Sequence, residues 1–463
     1  MRWVALWVLL FGVYAATLGI PAFGASDYGG DEPHHLLTAR SIVEDADIDL
    51  ANQYADGQFR AFYPYVLDVH GQRTDGRIAE PHSIGFPLLI APAYALGGAR
   101  AVEVLMAALM ALAFVLAGLL ARRLVPEPWA TGGVALVGLS PPAIAYSTAV
   151  LPEVPAATLL ALAALLALRV RESPRLRNAY GSALALAVLP WLATRFAVPA
   201  LAVAVLLVRW ASRRGRRLAA LGVGEVMVAS VVALVTVNDV FFGGFTPGAA
   251  GDPGRPSTGA SSVGDYLERV PRLAALWLDR DYGLLRWAPV LALSFAAVWL
   301  LWRSRRERLA EILPLRLDTE IAAALLLAVC GAVVLVAAFA APTMFGFWFP
   351  GRHLVAALPC AAALAAWALR SFPRVGTALG AVTVAASVWL VVDLRTGARE
   401  GWIGLDTSAP WGPLERVFPL WGVGSVWADA VGLALLAALV AVVAREWRRW
   451  RAAELVAVRR ARA

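Results

Sequence analysis

Apolar runs of roughly 20 residues recur along this whole chain, and they are separated by short polar pieces. That length matches the hydrocarbon thickness of a bilayer, where each backbone polar group must find its partner inside the span. The pattern therefore dictates helices that cross a membrane repeatedly. Of 463 residues, 60% are hydrophobic and only 16% charged, which excludes an ordinary soluble domain. A formal charge of +8 would otherwise invite a nucleic-acid reading. Here the basic residues are arginines clustered at the ends of apolar runs, which is the signature of topology. The two cysteines, Cys330 and Cys360, lie in apolar runs and read as small buried hydrophobes.

The arginine blocks order the spans. Arg2 places the start of span one, about 3–23, in the cytoplasm. This run is longer than a signal-peptide core, so a retained first helix is expected. Residues 24–100 form a long first outer loop. Blocks at Arg122-Arg123, Arg169 to Arg177, Arg213-Arg214-Gly215-Arg216-Arg217, Arg303 to Arg308, Arg370 with Arg374, and Arg445 onward then alternate with outer turns. The piece about 180–210 is interrupted at Pro190-Trp191 and Thr194-Arg195. Because both its ends are marked cytoplasmic, it reads as a hairpin with Arg195 near the outer turn. Further outer loops cover about 243–286, whose first half is rich in Gly, Pro and Ser, and about 394–428, where Trp402, Trp411, Trp421 and Trp427 read as interfacial anchors. The expectation is a single domain over 1–463. It is an all-α polytopic membrane protein with about twelve transmembrane helices, a long first outer loop containing surface helices, and a basic cytoplasmic tail over 445–463. It is expected to be multi-pass in a bacterial plasma membrane, with both termini cytoplasmic and the active site on the outer face.

The densest chemistry follows span one: Gly29-Gly30-Asp31-Glu32-Pro33-His34-His35-Leu36-Leu37. Pro33 suits the first position of a helix and Glu32 the cap before it. Leu36, Leu37, Ile42 and Val43 give that helix an apolar stripe, so it is expected along the membrane surface. Ser83 to Leu88 opens a second surface or re-entrant piece, broken at Gly97 to Arg100. The topology brings Asp31, Glu32, His34, His35, Glu153, Arg195, Asp281, Arg352 and His353 to one face. Ionisable groups at that depth call for a wet cavity or a partner. Arginine beside a bilayer suits the phosphate of a lipid-tailed substrate. A neighbouring carboxylate would serve as general base, deprotonating an acceptor hydroxyl as a sugar leaves its phosphate.

Each residue also has a plainer reading. Asp31 and Glu32 would favour a helix N-terminus by cap and charge. His34 and His35 would be solvated loop residues, and Glu153, between two prolines, an ordinary turn residue. Arg195 and Arg352 would snorkel to headgroups. Asp45, Asp47 and Asp49 would form an exposed acidic edge or, less commonly, a metal site.

The stretch Asp31 to Leu37 with Asp45 to Tyr54, the pieces His82 to Pro87, Arg280 to Leu285 and Trp348 to His353, and the Pro-Glu-x-Pro turn at 152–155 resemble the C-type glycosyltransferase superfamily. That group includes protein O-mannosyltransferases and aminoarabinose transferases. The resemblance covers about the first 360 residues. It implies an inverting membrane glycosyltransferase that moves a sugar from a polyprenyl-phosphate donor to an envelope lipid, glycan or protein on the outer face. Asp31 would be the base, with Glu32 beside it, although the residues leave open which of the two acts. Arg352 would hold the donor phosphate with His353 and Arg195, while Glu153, His34, His35 and Asp281 would position acceptor or metal. A divalent metal is compatible with the resemblance but not required by it. The alternatives are a twelve-span secondary transporter, for which Glu225 and Asp239 are the main charges inside spans, and a non-catalytic envelope assembly protein.

Overall fold

A computed structural model describes residues 1–71, 73–74, 77–173, 175–213, 217–251, 258–311, 317–404, 417–421 and 426–462. Trp411, Arg214, Gly215, Arg216 and the 252–257 part of the Gly/Pro/Ser-rich loop lie outside these residues.

Alanine and leucine dominate the apolar runs, and both favour helix. The chain accordingly builds α1 (Arg2–Ala15), α2 (Glu32–Glu44), α3 (Ala51–Ala55), α4 (Gly85–Ala121), α5 (Trp129–Gly138), α6 (Pro141–Ser147), α7 (Glu153–Glu172), α8 (Leu176–Leu192), α9 (Ala197–Arg213) and α10 (Arg217–Phe242). After the second large loop come α11 (Val263–Leu267), α12 (Arg272–Leu278), α13 (Leu284–Trp287), α14 (Ala292–Glu311), α15 (Leu317–Leu335), α16 (Leu358–Ser371), α17 (Pro373–Arg395) and α18 (Val426–Arg462). Among the described residues, eight helical stretches are long and apolar enough to cross a membrane. Among the described residues the strands are two short ones, Arg73–Thr74 and Arg77–Ile78, which pair antiparallel in the first loop with Arg73 opposite Ile78.

The bundle has a centre and a rim. Helices α4, α7 and α16 are mostly covered by neighbours, whereas α10, α17 and α18 turn broad apolar faces outward. Small residues set the closest crossings. A Cβ on Gly133 of α5 would lie 2.5 Å from Ala366 Cα of α16, so glycine is what lets those backbones approach.

Local sequence explains several departures from the expected layout. Helix α1 is shorter than the run that encodes it, because the chain turns at 16–19 with Gly19 at φ +73°. Tyr14 at its end donates to the Gly138 carbonyl at 2.8 Å. Helix α4 joins the re-entrant piece and span two, with the break expected at Gly97 to Arg100 appearing as non-helical Gly97 and Gly98. The hairpin around Arg195 is present as α8, a 3-10 turn Thr194–Phe196, and α9.

Three expectations are corrected. Helix α2 begins one residue earlier than its proline suggested, with Asp31 at the cap and Glu32 first. Nor does α2 lie on a membrane surface by an apolar stripe: Glu32 to Ala39 are all buried in the protein, against α4 among others, and only its far end is exposed. Trp402 is likewise not an interfacial anchor; it is 7% exposed and packs edge-on against Phe349.

Candidate active site

Three chain turns meet where α2, α7 and the 344–353 turn converge. The first is Gly29-Gly30, where Gly30 takes φ +56° and its α-carbon packs beside the Phe347 carbonyl. That conformation suits glycine and delivers Asp31 to the start of α2. The second is Leu151-Pro152, which sets Glu153 at the first position of α7. The third is Pro350-Gly351, where Gly351 at φ +91° turns the chain into the 3-10 helix Arg352–Ala357. Each is a helix start, where backbone N–H groups lack intrahelical partners and favour negative charge.

Arg352 ties the three together. Its Nη2 donates to Asp31 Oδ2 at 2.5 Å and its Nε to Glu153 Oε1 at 2.9 Å. Arg195 approaches from the α8–α9 turn, with Nη2 donating to the same Glu153 oxygen at 2.7 Å. The Arg352 guanidinium also sits 4.9 Å from the Trp348 ring centroid. The Glu153 and Arg352 side chains are 1% and 4% exposed, but Asp31 is 29% exposed. Of the three, Asp31 is thus the one most open to solvent.

The two adjacent carboxyls have different surroundings. Burial pulls the Asp31 carboxyl upward, but Arg352 and His82 outweigh it and hold it well below the usual carboxylate range. His82 Nε2 lies 3.7 Å from Asp31 Oδ1. Glu32 is buried, and that burial pushes it up to about 7 despite hydrogen bonds from two backbone amides. Those amides are Gly29 N at 2.8 Å and Val150 N at 2.7 Å, one on each carboxylate oxygen. Glu32 thus stitches the α2 start to the turn before α7.

A small cavity of about 40 Å³ touches Glu32, Arg352, Tyr146, Trp348 and Trp402. Its far wall carries Arg100 and the buried Glu103, which accepts from Tyr28 and, at 2.5 Å, from Arg100 Nη1. An apolar groove of about 230 Å³ runs from the next turn of the 352–357 helix, lined by Leu354, Ala357, Leu358, Leu327, Val334 and Phe295. The groove and the ion-paired cluster therefore share one short stretch of chain.

No family model and no curated protein matches the sequence. Two solved structures are similar. The crystal structure of ArnT from Cupriavidus metallidurans bound to undecaprenyl phosphate aligns at 16% identity with a TM-score of 0.48, over 99% of this chain and 75% of that one. The same protein in the apo state aligns at 16% identity and a TM-score of 0.48, over 98% of this chain and 76% of that one.

The remaining candidates lie at varying distances from the cluster. His353 Nε2 donates to the Thr343 carbonyl at 3.0 Å, and the residue lines a small cavity with Arg195. His34 and His35 are not solvated loop residues; they are 2% and 3% exposed. His35 packs edge-on against His82 and Phe86, and burial lowers its pKa well below the histidine range. His34 places its Nδ1 3.0 Å from Tyr54 Oη and 3.2 Å from Glu80 Oε1. Asp281 lies on the 279–287 turn, 44% exposed, with its carboxylate 4.0 Å from Arg286 Nη1.

Asp45 and Asp47 are exposed, as an acidic edge requires, and Asp49 is half-buried. Asp45 accepts from Asn52 and Gln53, Asp47 from Ser41 and the Asp49 amide, and Asp49 from the Ala51 and Ile78 amides. Their alternation places each side chain on a loop donor, so they knit the first loop together. Glu225 and Asp239 are exposed on α10, not directed to a bundle centre.

Sequence reasoning missed several residues. Asp279 is fully buried and accepts from the Asp281, Tyr282 and Trp421 amides. Arg269 and Arg272 donate to the Phe339 and Ala341 carbonyls at 2.6 and 2.8 Å, capping the π-turn Val336–Ala340 after α15. Glu80, 2% exposed, was hidden in a polar loop without pattern. A charge beside Pro81 in an otherwise solvated stretch was its one available signal.

Proposed function

We propose that this protein is a membrane glycosyltransferase that moves a sugar from a polyprenyl-phosphate carrier to a hydroxyl of an envelope acceptor. The observation that carries the reading is Arg352, a buried guanidinium between Asp31 and Glu153, two residues before Leu354, which lines an apolar groove. A lipid tail would lie in the groove and its phosphate would reach the guanidinium, which matches phosphate oxygens with two parallel donors. Arg195 adds a second positive charge on the same Glu153 oxygen.

Asp31 is the base in this reading. It is more exposed than Glu32, whose two oxygens each hold a backbone amide. Arg352 keeps Asp31 a weak base at rest. A donor phosphate that takes the guanidinium releases Asp31 from its strongest partner and raises its basicity. Asp31 then removes the acceptor O–H proton, and the acceptor oxygen attacks the anomeric carbon from the face opposite the phosphate. The bond from that carbon to the phosphate oxygen breaks, and the electron pair leaves on the lipid phosphate, where Arg352 stabilises the charge. The anomeric centre inverts. A wet site beside span ends suits an outer-face reaction, with both termini in the cytoplasm. The competing transporter reading wants charge inside the bundle, and both Glu225 and Asp239 are exposed on α10.

Mass spectrometry of envelope glycans and lipid-linked sugars tests the proposal in wild type, a deletion strain and an Asp31→Asn strain with equal protein levels. Loss of one sugar with accumulation of one polyprenyl-phosphate sugar, in both deletion and variant, is expected. An unchanged glycan profile in the deletion strain would overturn it.

A further inference from the structure

The first loop holds a second cluster that the transfer reaction does not use. His34 on α2 and His70 and Glu80 on the arms flanking the β-hairpin place one ligand atom each within 4.8 Å of one another. The Glu80 carboxylate is 2% exposed. Its Oε1 is occupied: it accepts from Tyr54 Oη and lies 3.2 Å from His34 Nδ1. Its Oε2 is buried and has no hydrogen-bond partner among the described residues, with His70 Nδ1 4.0 Å away. A buried carboxylate oxygen without a donor is costly, and a histidine at 4.0 Å is too far to serve it.

We propose that His34, His70 and Glu80 form a divalent-cation site of zinc type, which clips the first loop onto the start of α2. Two imidazole nitrogens and one carboxylate oxygen are the donor set such an ion takes, with an open fourth position. Bonds of about 2.0–2.2 Å put tetrahedral ligand atoms about 3.4 Å apart, so the cluster contracts on binding. His70, 45% exposed, has the freedom to swing inward. Tyr54 would hold the second carboxylate oxygen and so orient the ligating one. The ion would satisfy Glu80 Oε2 and join α2 to both loop arms. The clip ends two residues before His82, whose Nε2 is 3.7 Å from Asp31 Oδ1. It thereby fixes the approach of His82 to the carboxylate, whatever reaction Asp31 serves.

The experiment uses the full chain, without a polyhistidine tag, in detergent. Protein is loaded with Zn²⁺, dialysed into metal-free buffer, and its zinc counted by mass spectrometry beside Glu80→Gln, His70→Ala and Asp45→Asn. Cobalt loading in parallel reports tetrahedral coordination by its visible bands. About one equivalent is expected in wild type and Asp45→Asn, falling by about tenfold or more in the other two. His70→Ala alters a half-exposed side chain, so a folding defect does not mimic the loss. Wild type that holds no zinc after loading overturns the proposal. So does a full equivalent retained by both Glu80→Gln and His70→Ala, which would put the ion elsewhere.

Discussion

Arg352 Nε donates to Glu153 Oε1 at 2.9 Å, across 199 positions of sequence. Both side chains are almost wholly buried, and Arg195 reaches the same oxygen from a third part of the chain. A buried pair of this kind contributes little over an apolar substitute, yet losing one member leaves the other charge stranded. Glu153→Ala should therefore cost about 3–5 kcal/mol, with Arg352 left on Asp31 alone. Arg195→Ala should cost about 1 kcal/mol or less, because Arg195 is 30% exposed and Glu153 keeps Arg352. Thermal melts of the two variants in one detergent measure the contrast. Equal losses would mean that Glu153 is not the buried hub.

Asp31→Asn should abolish sugar transfer, by about 10²-fold or more, while leaving the fold intact. The amide keeps a hydrogen bond to Arg352 but cannot take a proton. In vitro transfer from a synthetic polyprenyl-phosphate sugar, with a folding check by size exclusion, provides the measurement. Activity within about threefold of wild type would move the base role away from Asp31.

The apolar runs and their arginine borders made the order of spans legible, down to the hairpin at Arg195 and the break at Gly97-Gly98. Topology was enough to predict that Asp31, Glu153, Arg195 and Arg352 share one end of the bundle. It did not show that His34 pairs with Tyr54 and Glu80. Neighbours on a helix point about 100° apart, so two adjacent histidines serve two clusters. Asp279 and Glu80 escaped for a different reason. Their partners are backbone amides and loop side chains far along the chain, which leave no periodic trace. The exposure of Asp45 and Asp47 was legible, but their alternation did not show which donors of their own loop they accept from.

Glu32 carries a pH dependence of stability opposite to that of Asp31. Its pKa in the folded state is about 7, above the ordinary 4.5, so the native protein binds the extra proton between those values. Stability contributed by this group is present below about pH 4.5 and falls as pH rises towards 7. The span corresponds to about 3 kcal/mol at most. Asp31 is depressed, so its contribution is present above its ordinary 3.8 and is lost in acid. Glu32→Gln should flatten the neutral-range slope and leave the acid limb unchanged. Melting temperatures from pH 4 to pH 8 for both proteins test it. Parallel curves would show that Glu32 ionises as it does in the unfolded chain.

Gly30 links backbone geometry to the proposed chemistry. Its φ of +56° disfavours any side chain, and a Cβ there would stand 3.0 Å from the Phe347 carbonyl. Gly30→Ala must relax by moving either the α2 start or the 344–353 turn, which are the two pieces that Asp31 and Arg352 occupy. The expected cost is about 1–3 kcal/mol. Transfer activity should fall further than stability at the assay temperature accounts for, since a shift of about 1 Å at a reacting group costs on the order of 10²-fold. Gly397 provides the control: its φ is +73°, but nothing lies within 4 Å of its Cβ position. Gly397→Ala should pay a similar backbone strain and keep its activity. If both alanine variants lose activity in proportion to stability, the approach of Gly30 to Phe347 has no part in aligning Asp31 with Arg352.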